Sequence, residues 1–386
     1  MKLRKAISIL ITICFALFGL EAQVSGVFQT EKYLPILKDN RVALVVNHSS
    51  RVNNVHLLDT LLSLGVNVEC VFAPEHGFSG NFNAGEYFDD VLYNDTIPIY
   101  SLYSIKEIQD AHVENIDIIV FDIQDVGVRF YTYISTLHYV MEGCARNNIE
   151  LLVLDRPNPH VNYVDGPVLN PIHKSFVGMH PVPIVYGMTI GEYALMINGE
   201  GWLNNNLICD LTVLPNANYN RSTLFDVNDA PSPNLRNLNS ILLYPSLCLF
   251  EGTLVSVGRG TNYPFEIFGA PFFKTNFIFL PQPNFGAKNP KYNNEHCYGY
   301  DLRNSHTLNS GIFLNKINLA FLIQAYQETP SDKKNIFFNS FFNKLAGNEQ
   351  LKQQIINGLS EDKIRSSWKL DLKKFKKVRK KYLLYH

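Results

Sequence analysis

The 386-residue sequence is poor in cysteine, in tryptophan and in charge of one sign. Its 6 cysteines form no Cys-x-x-Cys pair, so neither a zinc site nor a disulfide framework is indicated. The 34 basic and 35 acidic residues leave a net charge of −1. Because the chain has no global basic field to attract nucleic acid, we predict no nucleic-acid partner.

Several motifs of catalysis and cofactor binding are also missing. No Gly-x-Gly-x-x-Gly follows a predicted strand, so a dinucleotide cofactor is not supported. The absence of a Gly-x-Ser-x-Gly elbow counts against an α/β-hydrolase, and there is no His-Glu-x-x-His zinc helix. The spacing of His48, His76 and Asp122 carries no specific metal-site signal. We therefore predict neither a metal nor a cofactor.

A long apolar run stands near the N-terminus, in residues 6–20, behind Lys2, Arg4 and Lys5. It is short for a membrane span and typical of a secretory signal peptide. We predict a signal peptide over residues 1–25, export to the periplasm or the medium, and no stable membrane insertion. The alternative is a retained membrane anchor. The oligomeric state stays open.

Apolar strands alternate with helical patterns through the first half of the chain. Strands are predicted at 41–46, 68–72, 97–100, 116–121 and 150–154, with helices between them, including a short one at 106–112. Near-continuous apolar strands in this alternation predict an α/β fold, with a parallel sheet covered on both faces. The last predicted helix, at 370–384, combines an apolar stripe with a basic face.

Polar side chains follow four of the predicted strands. They are Asn47, Glu75 with His76, Asp122 with Asp125, and Asp155 with Arg156. Parallel sheets place ligands outside the carboxyl ends of their strands. Four such ends on one predicted rim favour a binding or catalytic site over ordinary turn residues.

Carboxylates and arginines are the chemistry that remains. Hydrolysis of a glycosidic bond needs a carboxylic acid beside the leaving oxygen, and often a second carboxylate. Glu75 is the candidate acid because it follows an apolar strand, where desolvation favours the neutral form of a carboxylic acid. Asp122 and Asp125 are the candidates for the second role.

Arg129, Arg156 and Arg259 are candidates to clamp an anionic substituent, since guanidinium matches carboxylate geometry. The alternative for Arg156 is an ion pair with Asp155 or Asp122, and for Arg259 a role in stabilising its turn. The 20 Tyr and 26 Phe suit either a sugar-stacking cleft or a large aromatic core. For the Tyr131 and Tyr133 pair, alternation predicts that one packs in the core.

At these motifs the sequence resembles the exo-β-N-acetylmuramidases related to NamZ. The matching segments include Ala73-Pro-Glu-His-Gly-Phe78, Ala84-Gly-Glu86, Phe121-Asp-Ile-Gln-Asp-Val-Gly-Val-Arg-Phe-Tyr-Thr-Tyr-Ile-Ser-Thr136, Leu154-Asp-Arg-Pro-Asn-Pro159, Ser175-Phe-Val-Gly178, Pro231-Ser-Pro-Asn234, Glu251-Gly-Thr253, Gly258-Arg-Gly-Thr261 and Pro264-Phe-Glu266. Leu254 departs from the family, which often has Asn there.

The resemblance implies a Rossmann-like catalytic domain over residues 26–230 and a smaller α/β (α+β) C-terminal domain over residues 231–386 that closes a sugar-binding cleft. It implies release of terminal N-acetylmuramic acid from the non-reducing end of peptidoglycan-derived saccharides. The family's catalytic glutamate corresponds to Glu75. The predicted substrate-binding residues are Asn47, His76, Arg129, Tyr131, Arg156, Arg259 and Glu266.

Two alternatives of other classes stay open at this point. A non-catalytic muropeptide-binding protein of the cell envelope would use the same arginines and aromatic residues. A hydrolase of an ester or amide bond would need a nucleophile, and no Ser or Cys has the required sequence context.

Overall fold

The computed structural model describes residues 23–222, 229–303 and 315–386. Residues 1–22, which hold most of the predicted signal peptide, lie outside these ranges. Within the described ranges, no helix has both the length and the apolar character that crossing a bilayer requires.

Strands and helices are numbered here in chain order. The strands are β1 (Arg41–Val46), β2 (Arg51–Val52), β3 (Val55–His56), β4 (Asn67–Ala73), β5 (Val91–Tyr93), β6 (Ile97–Ser101), β7 (Ile118–Asp122), β8 (Glu150–Leu154), β9 (Asp165–Val168), β10 (Pro183–Val185), β11 (Leu211–Leu214), β12 (Ile267–Ala270), β13 (Phe277–Phe279) and β14 (Cys297–Asp301). The helices are α1 (Thr30–Leu37), α2 (Leu57–Ser63), α3 (Leu102–Ile105), α4 (Tyr133–Asn147), α5 (Ile190–Gly199), α6 (Leu238–Leu247), α7 (Ala320–Glu328), α8 (Phe342–Ala346), α9 (Gln350–Ile356) and α10 (Glu361–Arg379).

A seven-stranded sheet in the order β11-β8-β7-β1-β4-β6-β5 forms the centre of the first domain. Its strands pair in parallel except β5, which is antiparallel to β6 at one edge. The first strand, β1, lies in the middle of the parallel strands. The chain adds β4 and β6 on one side of it and then β7, β8 and β11 on the other, which is the strand order of a Rossmann-like sheet. The prediction of an α/β fold with a mostly parallel sheet is confirmed.

Alternate side chains of the sheet enter two cores, one on each face. Val45, Phe72 and Phe121 enter one core, which α4 and α5 cover, while Leu44 and Val71 enter the other, which α1 and α2 cover. Burial on both faces explains why these strands are apolar without interruption.

The second domain is smaller and is built on a three-stranded antiparallel sheet, β12-β14-β13, with α6 to α10 around it. The core on the α4 side of the large sheet continues into this domain through Ile241, Leu247 and Phe268. Near the end of the chain, the Tyr385 hydroxyl donates to Asp155 in the first domain. The two domains therefore share one core and several polar contacts.

Two predicted helices differ from the structure. The helix predicted at 106–112 is absent because Lys106 has a φ of 57°, which ends α3, and only a 3-10 turn at Asp110–His112 follows. The helix predicted at 370–384 begins nine residues earlier, at Glu361, and ends at Arg379. The pattern missed its first part because only Ile364 and Trp368 are buried there.

Candidate active site

A cavity of about 1000 Å³ lies between the two domains, beside the carboxyl end of β4. The first domain lines it with Glu75, His76, the loop 83–86, Tyr103, Lys106, residues 130–132 and residues 175–177. The second domain lines it with Asn234, Glu251, Arg259, residues 286–291, Lys344 and neighbouring apolar side chains.

Glu75 is delivered to the cavity by a tight turn after β4. Gly77 N–H donates to the Pro74 carbonyl at 2.9 Å, and both His76 and Gly77 are left-handed, with φ of 73° and 74°. A left-handed non-glycine residue costs about 1–3 kcal/mol and persists only where its surroundings fix it. The His76 Nδ1 is 2.8 Å from the Phe82 carbonyl, a contact that holds this conformation.

Glu75 itself is 8% exposed and is bound at both oxygens. Oε1 accepts from the backbone N–H of Gly85 at 2.8 Å, and Oε2 accepts from the Thr132 hydroxyl at 2.7 Å. An amide N–H only donates, whereas a hydroxyl donates or accepts. The Thr132 hydroxyl can therefore hydrogen-bond to Oε2 both when Glu75 is ionised and when it is protonated.

His76 lines the cavity next to Glu75 and is buried. Burial lowers the pKa of His76 below its usual value, more than the nearby Glu75 charge raises it. The imidazole is therefore neutral at neutral pH and offers a hydrogen-bonding group without adding a positive charge beside Glu75.

Asp122 and Asp125, predicted to assist Glu75, do not line the cavity. Asp122 is fully buried and accepts from Arg156 Nε at 2.5 Å and Nη2 at 2.8 Å, so Arg156 takes the alternative role of ion-pair partner. Asp125 accepts from Gly127 N–H at 2.7 Å and from the Tyr186 hydroxyl. Burial raises the pKa of Asp125 to about 6. Asp122 and Arg156 thus join the ends of β7 and β8 through their side chains, and Asp125 fixes the backbone at Gly127.

Arg129 is likewise a structural residue rather than a cavity residue. It is fully buried and donates to the carbonyls of Pro167, Val182 and Leu345, each at 2.8 Å. Burial lowers its pKa to about 9. Since Leu345 belongs to the second domain, Arg129 joins the two domains and does not reach a ligand.

Asn47 and Glu266, also predicted to bind substrate, have internal partners and do not line the cavity. Asn47 Nδ2 donates to the Tyr133 hydroxyl at 2.9 Å. Glu266 accepts from the side chains of Asn237 at 3.0 Å and Asn239 at 2.7 Å. Among the predicted residues, the cavity thus brings together Glu75, His76, Tyr131 and Arg259.

Tyr131 lines the cavity, while its hydroxyl donates to the Pro231 carbonyl at 2.8 Å. Tyr133 packs edge-on against it, with ring centroids 4.8 Å apart, and is absent from the cavity wall. Both tyrosines thus fix the start of the second domain against α4.

Six charged residues of the cavity were missed as site residues: Glu86, Lys106, Glu251, Lys288, Lys291 and Lys344. Glu251 binds Arg259 Nε at 2.5 Å, and Glu86 binds Lys288 Nζ at 2.5 Å. The Lys288 ion pair, with Asn83, lowers the pKa of Glu86 to about 2. Lys291 donates to the carbonyls of Thr253 and Val255, and burial lowers its pKa to about 8. Glu86 and Glu251 lie in segments that carry the family resemblance, which was the one signal available for them.

Two amide oxygens in the cavity wall are buried without a partner in the described chain, Asn83 Oδ1 and Asn234 Oδ1. The other amide atom of each side chain is occupied, by Glu86 and by the Gly286 carbonyl respectively. An unpaired buried acceptor costs about 1–3 kcal/mol. A ligand rich in O–H and N–H donors would satisfy both oxygens.

The residues that the structure describes do not form a metal-binding site. No group of three or more His, Cys, Asp or Glu side chains is arranged there to hold a metal ion. The chemistry available in the cavity is a carboxyl group, a neutral imidazole, cations and aromatic rings.

Comparison with known proteins identifies relatives along nearly the whole chain. Residues 42–239 match the family model of the N-terminal part of exo-β-N-acetylmuramidase NamZ, and residues 242–385 match that of its C-terminal part. The peptidoglycan β-N-acetylmuramidase NamZ of Bacillus subtilis (strain 168) is 37% identical over 376 residues, covering 92% of this chain and 89% of that protein.

Two solved structures from Bacteroides fragilis NCTC 9343, both described as DUF1343 family proteins, share the fold. One has a TM-score of 0.86 and 44% identity, covering 95% of this chain and 99% of its own. The other has a TM-score of 0.77 and 25% identity, covering 94% and 99%. The likeness therefore extends over both domains.

Proposed function

Because this chain belongs to the exo-β-N-acetylmuramidase NamZ family of glycosidases, we propose that it releases terminal N-acetylmuramic acid from the non-reducing end of peptidoglycan-derived saccharides. The observation that carries the proposal is a buried Glu75 with a two-sided hydrogen-bond cradle, facing a cavity of about 1000 Å³ between the domains. This combination suits acid-catalysed cleavage of a glycosidic bond.

Glu75 is the proposed general acid. Gly85 N–H and the Thr132 hydroxyl hold the carboxyl group in place. Oε2 is the oxygen that we propose delivers the proton to the glycosidic oxygen. After transfer, Thr132 donates to the carboxylate that forms, and this stabilises the charge. The neutral His76 places no positive charge beside Glu75.

Glu86 is the proposed assisting carboxylate, in place of Asp122 and Asp125. It follows Gly85, the residue that binds Glu75, and lines the same cavity. The ion pair with Lys288 lowers its pKa to about 2, so it is ionised throughout the working range of pH. An ionised carboxylate is the form required of a general base or an electrostatic stabiliser.

The second domain supplies what we call the cationic wall, defined as Arg259, Lys291 and Lys344. Muramic acid carries a lactyl carboxylate, and these cations provide the complementary charge. Arg259 uses Nε for Glu251, and its Nη groups have no hydrogen-bond partner within the described residues. Arg259 and Lys291 are the proposed ligands of the carboxylate, and the unpaired oxygens of Asn83 and Asn234 receive hydroxyl or amide protons of the sugar.

Export is part of the same proposal. The basic and apolar residues at the start of the sequence support a signal peptide over residues 1–25. The exported protein would then bind its substrate, cell-wall glycan fragments, in the periplasm or outside the cell. Mass spectrometry of the protein purified from fractionated cells tests this: a mature N-terminus near residue 26 supports export, and an intact cytoplasmic Met1 form contradicts it.

Turnover of a chromogenic N-acetylmuramic acid glycoside tests the catalytic proposal. Wild-type protein should release the chromophore, and Glu75→Gln should lower kcat by at least about 100-fold, the usual scale of a lost general acid. Glu114→Gln is the matched control, because Glu114 is exposed in the same domain and does not line the cavity. Binding of the sugar by wild-type protein without any turnover would instead identify a muropeptide-binding protein.

A further inference from the structure

A row of aromatic rings lies along the first-domain side of the cavity mouth. We define it as the aromatic strip, consisting of Tyr87, Tyr103 and Phe176. The ring centroids of Tyr87 and Tyr103 are 5.5 Å apart, and those of Tyr103 and Phe176 are 5.6 Å apart. Tyr103 and Phe176 line the cavity and are half-buried, while Tyr87 is 64% exposed. The strip thus leads from the cavity into solvent.

The inner end of the strip lies beside the catalytic carboxyl group. A Cβ atom built on Gly85, whose N–H binds Glu75, would lie 3.8 Å from the Tyr103 hydroxyl oxygen. Burial, and then the negative charge of Glu75, raise the pKa of Tyr103 to about 12. The hydroxyl is therefore protonated near Glu75 and can donate to a ligand.

The two sides of the cavity differ in chemistry. The cationic wall and the unpaired Asn234 oxygen belong to the second domain, whereas the strip belongs to the first. A general acid stands at the bond to be cleaved, between the terminal sugar and the leaving group. If the acidic terminal sugar faces the cationic wall, the leaving group extends from Glu75 along the strip.

We propose that the aromatic strip is the binding site for the leaving saccharide, whose first pyranose ring packs on Phe176 and Tyr103. The inference rests on the proposed function and adds the orientation of the substrate to it. Lys106 is exposed, its ammonium lies 5.8 Å from the Phe176 centroid, and it donates to hydroxyls of that sugar. Because Tyr87 is 64% exposed, a longer leaving chain would extend past it towards solvent.

Calorimetric titration with two sugars tests this orientation. The protein carries Glu75→Gln so that nothing is cleaved, and the probes are N-acetylmuramic acid and the disaccharide N-acetylmuramyl-β-1,4-N-acetylglucosamine. The disaccharide should bind more tightly than the monosaccharide. Adding Phe176→Ala should weaken disaccharide binding about 10-fold, the scale for truncating a central aromatic contact, and monosaccharide binding by less than about 2-fold.

Controls separate a local effect from misfolding. Tyr263→Ala, which removes a 40% exposed ring in the second domain outside the cavity, should alter neither affinity. If thermal denaturation shows Phe176→Ala to be unfolded, Phe176→Leu keeps the apolar volume and removes the flat ring face. Tyr87→Ala, at the outer end, should weaken disaccharide binding less than Phe176→Ala.

The outcomes distinguish this inference from the function on which it rests. Equal weakening of both sugars by Phe176→Ala, or no weakening of either, overturns the strip as the leaving-group site even if wild-type protein hydrolyses the disaccharide. Failure of the wild-type protein both to bind and to cleave the disaccharide overturns the proposed function itself, and the inference with it.

Discussion

At the scale of single residues, Thr132 is the contact that distinguishes Glu75 from an ordinary strand-end carboxylate. Its hydroxyl donates to Oε2 of Glu75, the proposed general acid, at 2.7 Å. We expect Thr132→Val, which keeps the shape and removes the hydroxyl, to lower kcat by about 10- to 100-fold, because one hydrogen bond to a charged group contributes about 1.5–3 kcal/mol. Thr132→Ser should restore most of the rate, whereas equal kcat in Val and Ser variants would contradict this role.

The proposed contact of Lys291 with the substrate carboxylate predicts that substrate binding depends on pH. Burial lowers the pKa of Lys291 to about 8, so the ammonium loses its proton as the pH rises through about 8. Only the protonated form attracts a carboxylate, and we expect KM to rise above that pH while kcat changes less. Lys291→Arg stays charged to high pH. A KM that rises equally in wild type and Lys291→Arg would exclude Lys291 as the cause.

The residues of the site were only partly predictable. Glu75 could be predicted because it follows a predicted strand and also lies in a segment that carries the family resemblance, Ala73-Pro-Glu-His-Gly-Phe78. Asp122 also ends a strand, but its side chain is bound by Arg156, and the position of a strand end does not reveal which partner its side chain takes. Glu86 and Lys288 are 202 residues apart, so no local pattern in the sequence could pair them.

At the scale of secondary-structure elements, the turn after β4 controls the site. Gly77 has a φ of 74°, and a Cβ there would lie 2.7 Å from the Phe82 ring. Gly77→Ala should therefore destabilise the fold by more than the roughly 1–2 kcal/mol of a left-handed alanine, and should lower kcat by shifting Glu75. Thermal unfolding and turnover measure the two effects.

Gly201→Ala is the matched control for that turn. Gly201 is also left-handed, with a φ of 63°, but a Cβ there meets nothing within 4 Å. Gly201→Ala should lower the free energy of unfolding only by the cost of a left-handed alanine, and it should keep full activity. If Gly77→Ala behaved like Gly201→Ala in both measurements, the turn would not be what positions Glu75.

Strands and helices were predicted well where the hydrophobic pattern is strong, and poorly where a backbone dihedral angle determines where the element ends. β1 and β8 have the predicted bounds, because their apolar runs are buried from end to end. The predicted helix at 106–112 failed on one backbone angle, the left-handed φ of Lys106, which side-chain pattern does not encode.

At the scale of the whole molecule, the cavity depends on contacts between the domains. Arg129 donates to carbonyls of both domains and has no carboxylate partner among the residues described. Arg129→Met would remove three hydrogen bonds to buried carbonyls, of which that of Val182 keeps a second donor, Leu169 N–H. We expect it to lower the free energy of unfolding by about 2–4 kcal/mol. Chemical denaturation measures the loss.

Arg41→Met provides the comparison, since the Arg41–Asp117 ion pair is exposed on the surface. Exposed ion pairs contribute little to stability, so the denaturation midpoint of this variant should stay close to wild type. Similar midpoints for both variants would show that Arg129 does not hold the domains together. The role of Arg129 was hidden in the sequence because its partners are backbone carbonyls from distant segments.

The most direct test of Glu75 as the general acid is a paired measurement on the disaccharide, of binding and of released N-acetylmuramic acid. Wild-type protein should release the acid sugar from the non-reducing end. Glu75→Gln should bind the disaccharide with an affinity within about threefold of that of the wild-type protein, whose affinity is extrapolated to zero time because the wild type cleaves the sugar. Glu75→Gln should nevertheless release at least about 100-fold less product. Release by Glu75→Gln at a rate near that of wild type would contradict the role of Glu75.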